Sequence, residues 1–106
     1  MSIYDDPELT PVEGFDNIVF TSVGDRVRGR IIRMDRIDTK FGKVAKYWLF
    51  DLDNNTERTM LAGAQDLWGQ LHKLRPEVDD ILTIELVAIE GRRHVFNVEV
   101  TGEMPF

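Results

Sequence analysis

The sequence predicts an all-β domain of five strands with one short helix, which falls between the third strand and the fourth. Three observations predict it. Apolar residues alternate at period two through most of the chain after residue 24. Clusters of Gly, Asn and Asp cut that alternation into short segments. The period lengthens to that of a helix once, within "AQDLWGQLHKLRP" (64–76).

Residues 1–20 read as an acidic arm. Pro7 and Pro11 interrupt any helix, and "FDNIVF" (15–20) is apolar enough to dock on the domain. In "GDRVRGRII" (24–32) Val27, Gly29 and Ile31 face the core, while Arg26, Arg28 and Arg30 face outward. Gly29 in mid-strand marks a bend or bulge. "RIDTKFGK" (36–43) reads as a hairpin loop. "AKYWLFDLD" (45–53) is the second strand, with Trp48, Phe50 and Leu52 assigned to the core and Tyr47, Leu49 and Asp51 to the other face. After the turn "DNNT", "ERTMLAG" (57–63) forms a short third strand. Leu67, Leu71 and Leu74 then line one helix face, Trp68 widens it, Gly69 weakens the helix and Pro76 ends it. "DDILTIELVAIE" (79–90) and "HVFNVEV" (94–100) are the fourth and fifth strands, joined by a tight turn at Gly91.

Five strands with a helix between the third and fourth are the layout of the OB-fold, a partly open Greek-key barrel that holds single-stranded nucleic acid across strands 2–3 and by the loops at its mouth. The helix placement disfavours an SH3-like barrel. On this reading residues 1–20 form the arm, 21–101 the domain and 102–106 a C-terminal tip.

The formal net charge is −6, yet the charge is unevenly placed. Residues 1–23 carry five acids and no base, whereas 24–46 carry eight bases against three acids. A polyanion meets that local field rather than the sum. The predicted groove gathers Arg26, Arg28 and Arg30 from the first strand, and Arg33, Lys40 and Lys43 from the loop. Arg58 comes from the third strand, and Arg92 and Arg93 from the last hairpin. Cations neutralise phosphates and exposed rings stack on unpaired bases, which is the chemistry of sequence-tolerant single-strand binding. Tyr47 is the expected stacking residue, and Phe41 is either a loop anchor or a second one. The competing account is a solvated strand face, with Asp25, Asp35 and Asp38 pairing some of the arginines.

Composition narrows the remaining classes. There is no cysteine and there are only two histidines, so thiolate chemistry is excluded and a His-based metal site is a poor prospect. No Gly-rich phosphate loop or nucleophile constellation is recognisable, so neither enzymatic activity nor a cofactor is expected. No apolar run approaches the ~20 residues of a membrane span. The acidic start does not resemble a signal peptide, and a cytoplasmic protein is expected. Val87 and Ile89 are assigned to the outward side of the fourth strand, which would welcome a second copy.

"VGDRVRGRI", the stretch to "YWLFDLD", "LWGQLHKLRPEVDDILTIEL" and "GRRHVFNV" resemble the small OB-fold single-stranded DNA-binding proteins of phages, over about residues 23–100. In such relatives a Gly commonly stands where this chain has Asp79. The resemblance implies single-stranded DNA binding in replication, recombination or repair. "GEMPF" is similar to the acidic Pro-Phe tip of bacterial-type single-stranded DNA-binding proteins, which implies recruitment of partner proteins through Pro105 and Phe106. An OB barrel used as a protein-interaction module and a single-stranded RNA binder are the rival functions. An arm folded over the basic groove would make its deletion tighten binding; a solubilising arm would make it neutral.

Overall fold

A computed structural model describes residues 2–13, 15 and 19–102. The order is β1 (Arg26–Thr39), β2 (Gly42–Asp51), β3 (Thr56–Ala62), α1 (Gln65–Leu74), β4 (Ile81–Glu90) and β5 (Arg93–Thr101). All pairings between these strands are antiparallel, in one sheet ordered β3-β2-β1-β4-β5. The sheet coils around a single core, giving a small barrel-like β fold with the helix lodged between β3 and β4 in the chain. No helix among the described residues is long and apolar enough to cross a membrane.

β1 and β2 form a longer hairpin than the sequence predicts. The stretch 36–43 is mostly strand, and the turn is confined to Lys40 and Phe41, with Gly42 at φ 117. A side chain at Gly42 would also crowd the Thr10 hydroxyl, so both the backbone angle and the space favour glycine there. The irregularity assigned to Gly29 lies instead between Ile31 and Arg33, where Ile32 is the extra residue. Gly29 serves close approach: a Cβ there would stand 2.9 Å from the Phe50 carbonyl oxygen.

The core joins Val27 and Ile31 of β1 to Tyr47 and Leu49 of β2, and to Leu82, Ile84 and Leu86 of β4. Leu67, Trp68 and Leu71 of α1 complete it. Leu74, placed on the same stripe by its spacing, is 45% exposed because the helix stops there. Arg75 at φ 50 caps it by donating its N–H to the Leu71 carbonyl, and Pro76 prevents continuation.

The N-terminal arm belongs to this core. Ile3, Tyr4, Leu9, Phe15 and Phe20 are all buried, each a burial of the kind that contributes roughly 1.5–3 kcal/mol. Tyr4 stacks on Trp68 with 5.7 Å between ring centroids. Its hydroxyl donates to the Pro76 carbonyl and accepts from the Tyr47 hydroxyl at 3.0 Å. Burial pushes the Tyr4 hydroxyl up to about 12. Three of the arm's acids are engaged as well: Asp5 with Arg75 at 3.1 Å, Asp6 with Arg36 at 2.7 Å and Glu8 with Lys43 at 3.0 Å. Among the described residues, no ion pair joins the arm to Arg26, Arg28 or Arg30.

Candidate nucleic-acid interface

The outer face of the hairpin is built by the pleat. Val27, Gly29 and Ile31 turn inward, so Arg26, Arg28 and Arg30 turn outward, as their spacing predicts. Arg26 and Arg30 are exposed, and Arg28 comes within 3.9 Å of Asp53. The extra residue Ile32 resets the alternation, so that Arg33, two places after buried Ile31, returns to the outer face.

β2 carries a correction. Its inward residues are Ala45, Tyr47, Leu49 and Asp51, and its outward residues are Lys46, Trp48 and Phe50. Tyr47 is fully buried and cannot stack on a ligand; Trp48 and Phe50, assigned to the core, are the half-exposed rings. Asp51 misleads the sequence reading, because a carboxylate marks its column as the wet one. It is 1% exposed nonetheless. It accepts the N–H groups of Asp53 and Asn54, the Asn54 amide at 2.9 Å and the Arg58 guanidinium at 3.2 Å. These donors, the Asn54 side chain foremost, hold its carboxyl down at about 2. The signal that identifies the outer column is Lys46, which shares parity with Trp48 and Phe50.

Register brings the cations of β1 against the rings of β2. Arg30 faces Phe50, and Arg33 faces Trp48. The Arg33 guanidinium lies 4.5 Å from the Trp48 ring centroid, and the Lys46 ammonium lies 4.8 Å from it. Asp35 steadies Arg33 through a 3.0 Å hydrogen bond. The Asp35 carboxyl is lowered first by the Arg36 backbone N–H that it accepts and then by Arg33. The result is a stripe that joins a row of guanidinium groups to two aromatic faces.

The other expected members of the groove lie outside this stripe. Lys43 is on β2 rather than in a loop, and Glu8 holds it, raising its pKa. Arg58 faces inward opposite Leu49 and is engaged by Asp51. Arg93 leans 3.9 Å from Asp66 of α1, while Arg92 is exposed at the hairpin tip. Lys40 and Phe41 form the β1–β2 turn, where Phe41 meets the edge of Phe15 at 5.7 Å, so it anchors the turn to the arm. Lys40 sits 5.0 Å over that ring, which is still 44% exposed. Pro105 and Phe106 lie outside the described residues. Nδ1 of His94 is buried without a hydrogen-bond partner among the described residues. A groove of about 350 Å³ beside α1, lined by Glu13, Asp66, Lys73 and Arg93 among others, carries balanced charge and no exposed ring.

No protein-family model, curated protein or solved structure matches the chain.

Proposed function

We propose that this chain is an OB-fold protein that binds single-stranded nucleic acid through the outer face of β1 and β2. The sheet order, with β3 and β5 as the free edges and a helix between β3 and β4, supports the fold assignment. The observation that carries the function is the Arg33–Trp48 pair, set in a row of outward arginines. A guanidinium beside a half-exposed indole offers a phosphate partner and a base partner one nucleotide's reach apart. Duplexes hide the base faces, so the rings favour unpaired strands. Single-stranded DNA, handled with little sequence preference during replication, recombination or repair, is the proposed ligand, as in the small phage proteins that the sequence resembles.

The test is a titration of oligo-dT, oligo-rU and a duplex at two salt concentrations, followed by tryptophan fluorescence. Trp68 is 7% exposed and stacked on Tyr4, so the signal reports Trp48. Quenching by oligo-dT that weakens with salt is the expected result. Absence of binding to every oligonucleotide at low salt sinks the reading and leaves an acidic protein as the partner of the basic stripe. Equal affinity for duplex removes the role of the rings.

A further inference from the structure

The outer face of the β1–β2 hairpin is arranged as two columns, one cationic and one apolar. In successive rows Arg28 faces Leu52, whose N–H donates to the Arg28 carbonyl at 2.9 Å, Arg30 faces Phe50, and Arg33 faces Trp48. The fourth row is inverted: Asp35 stands on the cationic column and Lys46 on the apolar one. Along β2 the rows are two residues apart, about 6.8 Å, a step comparable to one nucleotide of an extended single strand, and along β1 the interval from Arg30 to Arg33 holds one residue more. The extra residue Ile32 is what keeps Arg33 in line, because without it the third row would place its arginine inside.

The flanking strands extend neither column. The outward residues next to β2, on β3, are Glu57, Thr59 and Leu61, and those next to β1, on β4, include Thr83 and Glu85. A strand of nucleic acid crossing the sheet would pass two cation-free flanks, each carrying a carboxylate. One lying along the hairpin meets a cation and an apolar surface at every step until Asp35 repels the next phosphate.

Resting on the nucleic-acid reading above, we infer that a single strand lies along β1 and β2 rather than across the sheet, with its phosphates on Arg28, Arg30 and Arg33 and its bases over Leu52, Phe50 and Trp48, one nucleotide to each row. Ligand direction is therefore set by the hairpin axis, and the site is three nucleotides long.

The experiment uses the full chain, labelled with ¹⁵N, and the oligonucleotide dT4 carrying a nitroxide at its 5′ or its 3′ end. The maxima of amide broadening are expected at the two ends of the track, near Arg28 and Leu52 and near Arg33 and Trp48. Trp48→Ala and Phe50→Ala should each weaken dT4 binding about tenfold, and Arg30→Ala should reduce the salt slope by about 0.7. Broadening maxima on β3 for one label and on β4 for the other overturn the inference while leaving single-strand binding intact. Absence of dT4 binding at low salt overturns both.

Discussion

Gln70 and Phe96 are joined by a 2.6 Å hydrogen bond from the Gln70 side-chain amide to the Phe96 carbonyl, and Asp66, one helical turn earlier, accepts the Phe96 N–H at 2.8 Å. Two side chains of α1 at i and i+4 thus satisfy one residue of the β5 edge, as a neighbouring strand would. Gln70 also donates to Asp66 at 2.9 Å, which keeps the two groups in register. Replacing Asp66 by Ala orphans a shielded N–H and should cost about 1–3 kcal/mol. Faster hydrogen exchange at the Phe96 amide, together with a lower thermal midpoint, checks it. Unchanged protection at Phe96 would show that another group covers the edge.

Asp51 confers a pH dependence whose sign follows from its lowered pKa. A carboxyl titrating at about 2 in the folded chain and near 4 when unfolded stabilises the fold fully above pH 4. That contribution is lost as pH falls from about 4 through 2. Asp51→Asn should therefore be destabilised by about 1–3 kcal/mol at neutral pH, with the gap from the unmodified chain narrowing in that acid window. Urea melts at pH 7, 4 and 2.5 measure it.

Tyr4→Phe removes the hydroxyl that links Pro76 and Tyr47 while keeping the stack on Trp68. The Pro76 carbonyl loses its donor, for an expected cost of about 1–2 kcal/mol. Deleting residues 1–12 should be far more damaging, since it empties three buried positions, Ile3, Tyr4 and Leu9. An arm that merely shielded the stripe would leave stability unchanged on deletion and raise affinity for oligo-dT.

Neighbouring rings on β2 should separate binding from folding. Trp48→Ala removes a half-exposed ring and should shift the midpoint of unfolding little, while weakening oligonucleotide binding. Tyr47→Ala removes a fully buried ring and should cost about 3–5 kcal/mol. Equal effects of the two substitutions on stability would contradict the observed parity.

Asp79 adopts φ 79 while its N–H donates to the Ile31 carbonyl at 2.8 Å. A left-handed backbone is strained for a residue with a Cβ. Asp79→Gly should stabilise the fold by about 0.5–1 kcal/mol, read as a higher urea midpoint at constant slope.

The strands, their order along the chain and the single helix were legible because period-two and period-3.6 patterns depend on burial alone. The arginine face was legible for the same reason, since Val27 and Ile31 leave no doubt about which side of the first strand is dry. β2 resisted because both of its columns are apolar: Tyr47 and Leu49 on one side, Trp48 and Phe50 on the other. Periodicity cannot rank two hydrophobic faces, and the deciding carboxylate, Asp51, is buried by a turn and an arginine that meet it only in three dimensions. Long-range pairs are invisible to local patterns, which is why the acids of the arm read as a solubilising tail rather than as partners of Arg36, Lys43 and Arg75.

The bond from Tyr4 to Pro76 spans 72 positions of the chain. During synthesis Tyr4 thus leaves the ribosome well before the carbonyl it needs, which is made 72 residues later. Until then Ile3, Tyr4 and Leu9 travel as a short apolar segment with Asp5, Asp6 and Glu8 among them, and these carboxylates keep the waiting segment hydrated. Closure over so long a separation is the slow kind of contact. The arm should therefore dock late, with its formation limiting the final step of folding.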